Sequence, residues 1–191
     1  NIIHVEYQAT GASASVNEMG MREMQARAYA ARNAQYLLLK APPASGKSRA
    51  LMFIALDKLR SGQVSKVIVA VPERSIGGSF KNTALSSHGF HSDWSVEPQN
   101  NLCLPGGENS KVAALGKFLD SSDKTLVCTH ATLRFAFDKF GAEKFNNCLV
   151  AIDEFHHVSA NYESKLGELV RILMDSTNAH ILAMTGSYFR G

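Results

Sequence analysis

Residues 41–48, APPASGKS, follow the apolar run YLLLK and precede SRALMFIALDKLRSG, which has helical periodicity. Glycine, lysine and a hydroxyl residue at a strand-to-helix junction suit phosphate binding. Backbone N–H groups of residues 44–48 can converge on an anion, and the start of the following helix adds its positive end. Lys47 supplies a mobile cation for β- and γ-phosphates, and Ser48 a hydroxyl for Mg²⁺. Pro42 and Pro43 fix φ and stiffen the loop entry. The stretch departs from the pattern G-x-x-x-x-G-K-[ST] at one place, where Ala41 replaces the first glycine; a small side chain still leaves the backbone accessible.

Asp153 and Glu154 directly follow the apolar run CLVAI. An aspartate at the C-terminal end of a buried strand can hold Mg²⁺ opposite Ser48. The adjacent glutamate is suited to orient or deprotonate an attacking water. Two neighbouring acids repel each other, and a divalent cation relieves that repulsion. His156 is placed to bond toward whatever senses the γ-phosphate. The spacing in DEFHH matches no transition-metal pattern, and His88, His91 and Cys103 lack a fourth ligand at sensible spacing.

These groups need elements to hold them. Runs at Tyr36–Lys40, Lys66–Val71, Thr125–Thr129, 148–153 and His180–Thr185 are short, rich in Val, Ile or Leu, and do not alternate. Strands buried on both faces have this character, and they belong to parallel sheets covered by helices. Helix-period segments lie between them, including MREMQARAYAARN, SKVAALGKFLDSS, TLRFAFDKFG and SKLGELVRILMDS. Phe135, Phe137 and Phe140 are expected in the core face of such a helix. Alternation of strand and helix predicts an α/β domain with every strand C-terminus on one edge, where ligands bind. Residues 81–110, with Trp94, two prolines and Gly106-Gly107, read as an excursion on one domain. The first 20 or so residues are rich in Ala, Ser and Gly and are expected to be loosely ordered.

At 191 residues the chain is long enough for one sizeable core. Its formal net charge of +3 is compatible with a polyanionic partner without demanding one. Cys128 and Cys148 sit in apolar runs, which suggests buried free thiols in a reducing, cytoplasmic compartment. No run approaches the roughly 18 apolar residues of a membrane span, so no membrane partner is expected. The N-terminal residues lack the pattern of a secretory signal.

Taken in order, the motifs resemble the first motor domain of a superfamily 2 helicase or translocase of the DEAD/DEAH-like kind, and are similar to restriction-enzyme-type helicase subunits. APPASGKS resembles motif I, VAVPERSIGGSF motif Ia, CTHATL the motif on the neighbouring strand, DEFH a DExH form of motif II, and Thr185-Gly186-Ser187 motif III, while MTGSYFRG is similar to the TGTPFR-type sequence of restriction-enzyme-like translocases. The resemblance implies a RecA-like P-loop fold, a three-layer α/β/α sandwich on a mainly parallel sheet, over residues 21–191. Residues 1–20 would be an N-terminal extension, and a second motor domain is expected outside this chain. It further implies ATP and Mg²⁺, with Lys47, Asp153 and Glu154 catalytic and Ser48 and Asp153 on the metal. Gln25 would read the adenine, and Pro43, Ala44, Ser45, Gly46, Lys47, Ser48 and Arg49 would surround the nucleotide. Arg74, Gly77, Gly78, Thr129 and His130 would contact nucleic-acid phosphates, and His156, Thr185 and Ser187 would couple hydrolysis to domain movement. DEFHH and the final residues favour DNA over RNA by analogy. By itself such a domain would bind nucleotide weakly and hydrolyse it poorly, because its arginine finger comes from the second domain. The rival reading is a nucleotide-gated clamp or scaffold without steady turnover. A small-molecule P-loop kinase would need an acceptor pocket and an arginine-rich lid, which this sequence does not show.

Overall fold

In the computed structural model, residues 2–8, 15–42, 45–155 and 165–186 are described. The strands are β1 (Ile2–Glu6), β2 (Tyr36–Lys40), β3 (Lys66–Val71), β4 (Thr125–Thr129), β5 (Cys148–Ile152) and β6 (His180–Thr185). They form one sheet in the order β1-β2-β6-β5-β3-β4, and every pairing is parallel. The helices are α1 (Glu23–Ala30), α2 (Lys47–Arg60), α3 (Glu108–Asp120), α4 (His130–Phe140) and α5 (Lys165–Ser176).

The inner strands bury both of their faces, so their side chains alternate between two cores. Val67, Val69, Val71, Leu149 and Ala151 join a cluster with Met24, Leu51, Phe53 and Trp94. Ile68, Ala70, Val150 and Ile152 join a second with Leu115, Phe118, Leu133 and Leu169. Helices α1 and α2 cover the first face and α3, α4 and α5 the second, which makes the three layers. Of the three phenylalanines on α4, Phe137 and Phe140 pack against the second core. Phe135 does not: it is exposed, beneath the Arg134 guanidinium.

The opening segment differs from expectation. Residues 2–6 are not loose; they form β1, in register with β2 from Ile2 beside Tyr36 to Glu6 beside Lys40. The strand is easy to overlook because it lies at the sheet edge and leaves Ile2 and Ile3 exposed.

The excursion packs into the first core. Trp94 is buried and donates its indole N–H to the Phe80 carbonyl at 2.9 Å. Thr83 and Trp94 exchange backbone hydrogen bonds as an antiparallel bridge. Further along, Asn101 bridges Val127 in parallel, and Leu102 N–H donates to the Val127 carbonyl at 2.8 Å. The excursion thereby covers β4, which would otherwise be an open edge.

Lys58 of α2 is 1% exposed. Its ammonium donates to the Ala34 carbonyl at 2.8 Å and lies 2.7 Å from His180 Nδ1 on β6. Burial pushes the Lys58 pKa down to about 8. Burial, then the Lys58 charge, pushes His180 from 6.5 to about 4. Between pH 6.5 and about 4 the unfolded chain therefore binds the proton more readily than the folded one, and stability falls as pH drops through that window. The urea midpoint is expected to fall from pH 7 to pH 5. In His180→Gln, whose amide oxygen can still accept from Lys58, that fall should shrink to roughly half or less. An equal fall in both proteins would remove His180 as its cause.

Candidate nucleotide site

Helix α2 begins at Lys47, and its N-cap is Gly46 in the left-handed conformation with φ 91°. Only glycine meets this geometry without strain. A Cβ here would also overlap Gln25 Nε2 and come within 2.6 Å of Arg22 Nη2. Ser45 Oγ donates to the Pro42 carbonyl at 2.6 Å, closing the turn.

Across the same edge, β5 ends and Asp153 follows. Asp153 N–H donates to the Ala70 carbonyl, which keeps the turn attached to β3. Asp153 is 6% exposed, and its Oδ1 accepts from Glu154 N–H at 3.0 Å. Glu154 holds φ 54°, uncommon for a residue with a Cβ. Phe155 N–H donates to the Met184 carbonyl, so the turn is held from β6 as well. Lys47 Nζ lies 4.0 Å from Glu154 Oε2. Gly46, Lys47, Ser48, Asp153 and Glu154 line one cavity of about 520 Å³. The lysine turn and the carboxylate pair thus face each other on a single rim.

Gln25 is 1% exposed. Its Oε1 accepts from Arg22 N–H at 2.8 Å, and its Nε2 donates to the Gly46 carbonyl at 3.1 Å. This amide joins α1 to the loop backbone. Asp57 of α2 reinforces the join, accepting from Tyr29 Oη at 2.9 Å and Arg32 Nε at 3.0 Å. A second cavity, about 300 Å³, is lined by Gln25 with Val16, Gly20, Arg22, Arg49 and His88. Arg22 and Arg49 line both cavities. The sequence alone assigned Arg22, Ile76, Ser79 and His88 no place at the nucleotide site. An arginine three residues before Gln25 was the one available signal, and only the fold shows that Arg22 serves both cavities.

Arg74, Gly77 and Gly78 line a groove of about 640 Å³ together with Lys81 and Asn82 from the excursion. Gly77 presses on Cys103, since a Cβ there would come within 2.7 Å of its Sγ. Thr129 and His130 do not join that group. Thr129 is buried and caps α4, its Oγ1 accepting from Thr132 N–H at 3.2 Å. The cap has a local cause, because the hydroxyl lies where the helix leaves its first N–H groups unpaired. His130 Nε2 instead lies 2.8 Å from the Asp153 carbonyl, underneath the acidic turn. Thr185 ends β6, and its carbonyl accepts from Ala41 N–H at 3.2 Å, so this strand end touches the entry to the phosphate loop. Pro43, Ala44, His156 and Ser187 lie outside the described residues.

Among the described residues no three His, Cys, Asp or Glu side chains cluster into an all-protein metal cage. Mg²⁺ does not require one. It is commonly held by one or two carboxylates with substrate phosphates and water, and a hydroxyl beside a buried aspartate fits that donor set. No described helix is long and apolar enough to cross a membrane.

An all-parallel α/β/α sheet with a Gly-Lys-Ser helix start facing an acidic strand end has the RecA-like fold. The chain belongs to the DEAD/DEAH box helicase family, which matches residues 22–190. It is 64% identical over its whole length to a Bacillus subtilis (strain 168) protein named "Putative ATP-dependent helicase YeeB", and it spans 32% of that protein. Its fold is similar to the Pyrococcus furiosus Hef helicase domain, with a TM-score of 0.62 at 19% identity over 87% of this chain and 33% of that one. It is also similar to the UvsW helicase from bacteriophage T4, with a TM-score of 0.53 at 16% identity over 87% of this chain and 52% of that one.

Proposed function

We propose that this chain is the ATP-binding first motor domain of an ATP-dependent nucleic-acid helicase or translocase. The observation that carries the reading is the 4.0 Å approach of Lys47 Nζ to Glu154 Oε2, in a cavity shared with Gly46, Ser48 and Asp153. The loop N–H groups and Lys47 bind and orient the β- and γ-phosphates. Ser48 and Asp153 would hold Mg²⁺, which when bound neutralises charge on the phosphate oxygens. Glu154 orients the attacking water and accepts its proton. His130, bonded to the Asp153 carbonyl, keeps the acidic turn in place. Gln25 ties the base side of the site to the loop through the Gly46 carbonyl.

Arg74 and the turn at Gly77 and Gly78 contact the phosphates of a nucleic-acid strand, with DNA favoured over RNA. Such contacts fix a strand without reading its bases. The coupling role lies with Thr185, His156 and Ser187. A second RecA-like domain in the longer protein completes the site with an arginine; this chain's 32% share of its Bacillus relative leaves room for one. Phosphate release by the complete protein is expected to rise about tenfold or more on adding single-stranded DNA, and less with RNA. ATP binding without stimulated release would identify a nucleotide-gated clamp and overturn the motor.

A further inference from the structure

The excursion reaches the base side of the site through the 3-10 turn Leu85–His88. His88 lines the same cavity as Gln25, Arg22 and Arg49. Two left-handed glycines permit this approach. Gly20 has φ 79°, and a Cβ on it would lie 2.8 Å from His88 Cβ. Gly89 has φ 108°, and a Cβ on it would overlap the Glu18 carbonyl oxygen. The backbone before α1 and the turn carrying His88 are therefore pressed together, with no room for side chains between them.

That turn is anchored to the same frame as the rest of the site. Phe90 packs edge-on against Phe53 of α2, with ring centroids 4.8 Å apart, and against Tyr29 of α1 at 5.9 Å. His91 Nε2 lies 3.6 Å from Asp57 Oδ1, on the carboxylate that also receives Tyr29 and Arg32. Asp93 Oδ1 accepts from Ser86 N–H at 2.8 Å, which fixes the start of the turn. Gln25, by contrast, already bonds Arg22 and Gly46 and is almost wholly buried. Its amide keeps one N–H and one acceptor lone pair but offers a base almost no surface, so further walls are needed.

We infer that His88 is a specificity-determining residue for the nucleotide, its ring forming a wall of the base subsite. The inference rests on the nucleotide reading above. His88 is exposed at the cavity on this anchored turn, and a planar imidazole there can stack on a purine, while the phosphates are gripped separately at Lys47. Contacts of this kind weight the base, not the triphosphate.

The test is equilibrium binding of ATP and of inorganic tripolyphosphate, each with Mg²⁺, to the complete protein and to its His88→Ala and His88→Phe variants. His88→Ala is expected to bind ATP about five- to tenfold more weakly and tripolyphosphate within about twofold of wild type. His88→Phe, which keeps a ring, should retain ATP affinity within about twofold. Unchanged ATP binding by His88→Ala overturns the proposal, as does an equal loss of tripolyphosphate binding or a loss in His88→Phe as large as that in His88→Ala. If the wild-type protein binds neither ligand, the nucleotide reading itself fails and this inference falls with it.

Discussion

Glu154→Gln in the complete protein is expected to lower steady ATP turnover by about a hundredfold or more while ATP binding stays within a few-fold of wild type. The substitution keeps the side chain's shape and removes its basicity. It leaves untouched the turn that positions it, because Asp153 Oδ1 accepts from the backbone N–H of residue 154 and not from its side chain. It also leaves Ser48, Asp153 and the loop N–H groups, the proposed phosphate and metal contacts. Binding and chemistry should therefore separate. Phosphate release measured beside equilibrium ATP binding checks this. Turnover at the wild-type rate would mean that another group prepares the water.

Gly46→Ala should weaken ATP binding about tenfold or more, with a melting temperature lowered by about 2–8 °C. A Cβ at φ 91° costs about 1–2 kcal/mol in the left-handed region. It would also collide with the Gln25 amide and the Arg22 guanidinium. Those two side-chain ends can yield, but the φ strain is relieved only by rotating the turn, and rotation withdraws the Gly46 carbonyl from Gln25 and turns the first N–H groups of α2 away from a bound phosphate. The global cost is modest because the core beneath, from Ala50 to Ala55, is unaffected. Calorimetric titration and a thermal melt of both proteins test this together. An alanine variant that binds ATP as tightly as wild type would show that the turn does not need its left-handed residue.

Much of the architecture could be read directly from the chain, and the reason is local. A strand covered on both faces must be apolar throughout, so the five runs from Tyr36 to Thr185 declare themselves. A helix that starts at a phosphate loop must have a flexible residue before it, so Gly46-Lys47-Ser48 stands out. β1 gave no such signal because an edge strand need not be buried. The neighbours of Thr129 and His130, a helix end for one and the Asp153 carbonyl for the other, were not legible from their positions in the chain.

Spacing and residue type alone determined the types of the inner elements, the Gly-Lys-Ser turn before α2 and the acidic end of β5, because each depends on the backbone within a few residues. Only the tertiary structure decided that β6 lies between β2 and β5, that α1 locks onto the loop through Gln25, and that the excursion returns to place His88 beside it. Those arrangements depend on which distant surfaces bury one another. Burial across tens of residues is set by the packing of whole elements, and no short stretch of sequence records it.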